Sequence, residues 1–302
     1  MGWAARAHRQ QRAQSQRFDR QAARELAGRL RSGLEVFGVP FSRAQPIGAM
    51  VSDLEWIAGF PAEPRDAGGA WEANPSRFDA AVVRSLYAHA IAEILHYGIR
   101  VQNGQRHAWR WIRKRIVGPE DDQAQDRLFE MVVAYRIALW HHDGVGFEVA
   151  LDEEPDVVVS FPSAKGSGPL GFACKRPRSL HGLGKRLHEG VGQIRREGLR
   201  GIIVVSLDAY EDKPTTIAGV DVEAELRGRA FIRSVMESAA HAIEKEHDPV
   251  CLGIHFSARF HYRHRRGSGL LWVTEPKPAL RTQEAKQGLA ILDRLLLYRP
   301  EP

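Results

Sequence analysis

Glu154-Pro155-Asp156-Val157-Val158-Val159 is followed, after a turn containing Gly and Ser, by Gly171-Phe172-Ala173-Cys174-Lys175-Arg176-Pro177. An acid opens the first β-type run and a lysine closes the second. Side chains alternate across a strand, so Lys175 shares a face with Ala173. If the two runs pair as a hairpin, the Asp156 carboxylate and the Lys175 ammonium meet at one place on a sheet. That is a workable start for cutting phosphodiesters. A hard cation such as magnesium takes oxygen ligands, usually one or two carboxylates plus waters. A nearby group must also orient or deprotonate the attacking water and offset the charge that develops. The Cys174 carbonyl offers a second oxygen. Glu130 lies mid-helix among Phe129, Val133 and Ile137, so it either reaches the sheet or points to solvent.

The elements on either side set this hairpin in an α/β context. Acids and a proline at Pro119-Glu120-Asp121-Asp122 suit a helix N-terminus, and the spacing predicts a helix to about Trp140. Three β-type runs follow, 146–151, 156–161 and 170–175, then a helix over about 180–197. Gly201-Ile202-Ile203-Val204-Val205-Ser206-Leu207 is apolar throughout, as in a buried parallel strand. A long helix over 222–245, strands over 250–260 and 269–274 joined by a basic tip, and a helix over about 282–297 complete the chain. A meander of three strands with a helical crossover to a fourth predicts a mixed β-sheet flanked by helices.

The first hundred or so residues read as helical. Leu26, Leu30 and Leu34 recur at helical spacing, as do Val82, Leu86, Ala90 and Ile94. A Pro/Gly/Ala-rich loop separates them over 59–75, and the segment 107–117 is basic and aromatic, with Trp109 and Trp111 among four cations. Gly118-Pro119 places a boundary between an all-helical N-terminal domain, 1–117, and an α/β domain, 118–302. Residues 1–18, rich in Arg and Gln and free of acids up to that point, are expected to form a basic, partly frayed helix.

Composition narrows the class. With 302 residues, 43% hydrophobic and 26% charged, the chain can build a sizeable core, and its net charge of +6 favours anionic partners, nucleic acid first. No run of eighteen apolar residues exists, so a membrane span is not expected. Cys174 and Cys251 have neither disulfide nor zinc spacing, and a reducing, cytoplasmic setting is expected.

The run from Glu130 through Pro155-Asp156 to Phe172-Ala173-Cys174-Lys175-Arg176-Pro177, then Gln193 and the strand at Gly201, resembles the PD-(D/E)XK nuclease superfamily. The resemblance covers about residues 119–208 and implies a restriction-endonuclease-like core. It implies an Mg2+- or Mn2+-dependent endonuclease acting on DNA, in defence or repair. Asp156 and Glu130 would hold the metal with the Cys174 carbonyl, Lys175 would sit beside the nucleophilic water, and Gln193 would be the polar helix residue behind the lysine strand. The departure is Ala173, where the superfamily has Asp or Glu. Either Glu130 replaces that acid, or the domain has lost cleavage and serves as a nucleic-acid-binding or assembly subunit.

Each of these residues has a plainer alternative. Asp156 can be a surface strand start, Lys175 a solvated strand end, and Glu130 and Gln193 solvated helix residues. Cys174 reads as a buried inert thiol rather than a nucleophile, and His141-His142-Asp143 as a helix end. Arg176 and Arg178 are candidates to grip a nucleic-acid backbone. So are Arg263, Arg265 and Arg266 in the basic tip 261–266, which otherwise reads as a solvated turn. The N-terminal helices are the expected surface for a homodimer or a protein partner.

Overall fold

The structure, a computed structural model, describes residues 13–17, 20–36, 38, 42, 45–60, 73–97, 125–130, 132–134, 148–151, 156–160, 169–214, 216–218, 221–245, 248–264 and 267–278. Its strands are β1 (Ala13–Arg17), β2 (Glu148–Leu151), β3 (Val157–Ser160), β4 (Leu170–Lys175), β5 (Arg200–Ser206), β6 (Thr216–Ala218), β7 (Cys251–His264) and β8 (Gly267–Pro278). Its labelled helices are α1 (Arg20–Val36), α2 (Pro46–Gly59), α3 (Pro75–Tyr97), α4 (Leu180–Arg196), α5 (Asp221–Ser238) and α6 (Ala240–Lys245). Residues 125–130 and 132–134 are also helical.

One sheet contains all eight strands of the described residues, in the order β1-β8-β7-β5-β4-β3-β2, with β6 alongside β7. The meander β2-β3-β4 is antiparallel; β4-β5 and β5-β7 are parallel. This is the mixed, helix-flanked sheet that the order of elements predicts. β5 is buried at every position after Arg200, which accounts for its unbroken apolar run. Gly171 and Gly201 face each other in the parallel register, and a Cβ on Gly201 would lie 2.2 Å from the Gly171 carbonyl oxygen. Only glycine permits that approach.

Helix α4 is the crossover. Leu183, Leu187, Val191 and Ile194 form its buried stripe and pack on Ala173, Ile203 and Val205. Full burial of each such leucine is worth about 1.5–3 kcal/mol. The Ser179 hydroxyl caps the start by accepting the Gly182 N–H at 3.2 Å. At the other end Gly198, at φ +64°, reverses the chain while its N–H and that of Leu199 bond back to Arg195 and Ile194.

Several expectations need correction. The N-terminal part is not all helical: residues 13–17 form β1, antiparallel to β8, where a frayed helix was expected. The sequence Ala-Gln-Ser-Gln-Arg carries no apolar alternation, and pairing with a distant strand overrides its local tendency. The long helix expected over 222–245 breaks at Ala239 into α5 and α6, and the short strand β6 precedes it. β7 runs to His264 rather than 260, so His261–His264 belong to a strand, and residues 261–263 pair with β6. Helices α1, α2 and α3 pack on one another, with Leu26, Leu30 and Leu34 buried, and α3 also touches β7 and β8. The expected boundary at 117/118, the 107–117 segment, His141–Asp143 and the 282–297 helix lie outside the described residues.

Candidate active site

β3 and β4 bring the two key groups together. The register Val157↔Phe172 sets Asp156, just ahead of β3, opposite Ala173. Asp156 Oδ2 accepts the Cys174 N–H at 2.7 Å and lies 3.6 Å from Lys175 Nζ. Lys175 is 8% exposed, so its ammonium is stabilised largely by this carboxylate. In a strand, one residue's N–H and C=O point to the same side. The bond to Asp156 therefore also turns the Cys174 carbonyl toward Asp156, past the point where the β3-β4 ladder ends.

A second carboxylate, Asp126, lies close by. Asp126, one helical turn before Glu130, pairs with Arg176 at 3.0 Å. Burial pushes the Asp126 carboxyl above its usual range, against the pull of Arg176, Arg186 and Lys175. The sequence reading missed Asp126. The available sign was the i, i+4 spacing that puts it on the Glu130 face of one helix. Glu130 itself is half-buried. Among the described residues no three His, Cys, Asp or Glu side chains gather closely enough to hold an ion, so Asp126, Glu130 and Asp156 do not form a three-carboxylate cage.

Gln193 is far from the pair. It stands in the last turn of α4, whose next residue, Ile194, packs by Gly201 at the start of β5. The helical rise separates it from the Ser179 end by roughly 20 Å. Lys175 belongs to the Ser179 end, and the Gln193 Oε1 is buried without a hydrogen-bond partner. Of the arginines, Arg178 is exposed, Arg263 lies in β7, and Arg265 and Arg266 fall outside the described residues. Both cysteines are buried thiols outside any disulfide.

Beyond Lys175 the chain enters a cavity of about 210 Å³, lined among others by Asp126, Arg176, Arg178, Ser179, Gly182 and Arg186. Three guanidinium groups thus face one carboxylate at the start of α4, whose first turn contains no acid. The donors present at the strand ends, the Asp156 carboxylate and the Cys174 carbonyl, suit a magnesium ion that keeps most of its water. No protein-family profile, curated protein or solved structure matches the chain. Among the described residues no helix is long and apolar enough to cross a membrane.

Proposed function

We propose that this chain is a nuclease of the PD-(D/E)XK type that hydrolyses phosphodiester bonds in DNA with the help of Mg2+ or Mn2+. The observation that carries this is the Asp156–Lys175 pair, 3.6 Å apart on neighbouring strands, directly before the crossover helix and the buried parallel strand β5. Asp156 and the Cys174 carbonyl would hold the metal, which when bound supplies Lewis acidity to the phosphoryl oxygens and a more acidic water. Asp156 also positions Lys175, whose buried ammonium offsets negative charge on the phosphate where water screens it least. Arg176 and Arg178, next in the chain, offer cations to the neighbouring backbone. We place this activity in the cytoplasm, where Cys174 and Cys251 stay reduced.

The test is incubation with DNA and Mg2+ or Mn2+, comparing wild type with Asp156→Asn and Lys175→Met. Asn keeps an acceptor for the Cys174 N–H, and Lys175→Met removes the buried ammonium that Asp156→Asn leaves without its carboxylate. Cleavage is expected to fall by about a hundredfold or more in each variant. Cleavage that both variants retain would overturn the assignment.

A second reading, a binding or assembly subunit on the same core, is favoured by Ala173. It is fully buried against α4 at the position where the resemblance implies an acid. Binding of DNA with no cleavage, unaffected by Asp156→Asn, would select this reading. Ala173→Glu separates the two further. Beside Asp156 an added carboxylate should tighten Mn2+ binding if the strand ends form a metal pocket, and leave it unchanged if they do not.

A further inference from the structure

The cavity at the start of α4 combines four features. Arg176, its side chain only 9% exposed, lines the cavity with Nε lacking any hydrogen-bond partner. Its other end is spent on Asp126. Arg178 and Arg186 also line the cavity, the latter in an exposed pair with Glu189 at 2.9 Å. The Ser179 hydroxyl satisfies the Gly182 N–H, whereas the Leu180 and His181 N–H groups have no acceptor within the helix. A buried donor without a partner is costly, and an anion at a positive helix end relieves that cost.

We propose that this cavity is a phosphate-binding subsite, in which Arg176 Nε, Arg178, Arg186 and the first amides of α4 hold one phosphate group of a nucleic-acid strand. The nucleic-acid source rests on the nuclease reading above; the anion chemistry does not. Asp126 is the internal competitor, occupying Arg176 while the subsite is empty and yielding part of it to the phosphate.

The experiment measures equilibrium binding in EDTA, so that the result is independent of cleavage. Three probes are used: inorganic phosphate, a short single-stranded oligodeoxynucleotide with a 5′-phosphate, and the same strand with a 5′-hydroxyl. The variants are Arg178→Gln, Arg186→Gln, Arg176→Lys and Asp126→Asn, with Arg227→Gln, at an exposed position of α5, as a control for net charge. Each of the three arginine variants is expected to weaken phosphate-bearing probes by about tenfold, the loss of one charge-assisted hydrogen bond. Asp126→Asn is expected to strengthen them, and Arg227→Gln to leave them within twofold.

A loss confined to the 5′-phosphorylated strand identifies a terminal phosphate. An equal loss for both strands identifies an internal phosphodiester. A loss seen with inorganic phosphate alone overturns the nucleic-acid source. Affinities for every probe that stay within twofold of wild type in Arg178→Gln and Arg186→Gln overturn the subsite. If cleavage is absent but these shifts appear, only the nuclease reading falls. If cleavage is present and the shifts are absent, only the subsite falls.

Discussion

Asp208, immediately beyond β5, shows what a buried charge demands in this protein. It accepts the Arg259 N–H at 2.8 Å and a hydroxyl hydrogen bond from Ser206 at 2.9 Å, and it pairs with the Arg259 guanidinium. Burial alone would raise its carboxyl, but Arg259, Lys213 and the Arg259 hydrogen bonds outweigh it and hold the group below its usual value. With the folded value lowered, the stabilisation is present above the unfolded carboxylate range. It is lost as pH falls through the folded value. Asp208→Ala should therefore cost about 3–5 kcal/mol near neutral pH, seen as a lower urea midpoint, because the buried Arg259 loses this carboxylate. The difference from wild type should shrink toward acid pH; a constant difference would show that the carboxylate charge is not the cause. Asp126 has the opposite sign. Its carboxyl is raised, so folding favours the protonated form, and Asp126→Asn should not destabilise the protein at neutral pH.

Two glycines in helices make opposite predictions at the level of the element. A Cβ on Gly28 in α1 would meet nothing within 4 Å, so Gly28→Ala should stabilise by about 0.5–1 kcal/mol through helix propensity. In α5, a Cβ on Gly228 would lie 2.8 Å from Val273 Cγ2 and 3.0 Å from Phe260 Cε2. Gly228→Ala should lower stability by about 1–3 kcal/mol despite the same propensity gain, since α5 must move off the sheet. Thermal melts of the two variants should shift in opposite directions. The sequence made the central elements legible for a physical reason. β4, β5 and α4 are buried enough that their apolar pattern is nearly complete, and their read limits fall within a residue or so of the observed ones. β1 was illegible because a polar edge strand is specified by its partner rather than by its own residues. Within the site, Asp156 and Lys175 could be paired from strand alternation and hairpin register. Asp126 was not singled out beside Glu130, because the two acids lie one turn apart on the same helix face and the local pattern does not separate them.

For the molecule as a whole, β1 shields the edge of β8 by antiparallel pairing over Arg17↔Gly269 to Ala13↔Val273. Removing residues 1–19 would expose a long strand edge in an otherwise intact sheet. The truncated chain is expected to self-associate on size-exclusion chromatography; a sharp monomer peak would show that the edge is protected by other means. The same pairing has a consequence for biosynthesis. Among the described residues β1 is the first strand and its hydrogen-bonding partner β8 the last, so nascent β1 must wait while some 250 residues leave the ribosome. Contacts so distant in sequence slow the search for the native state. The sheet thus closes at this edge only once β8 has been made, and until then β1 depends on remaining soluble by itself.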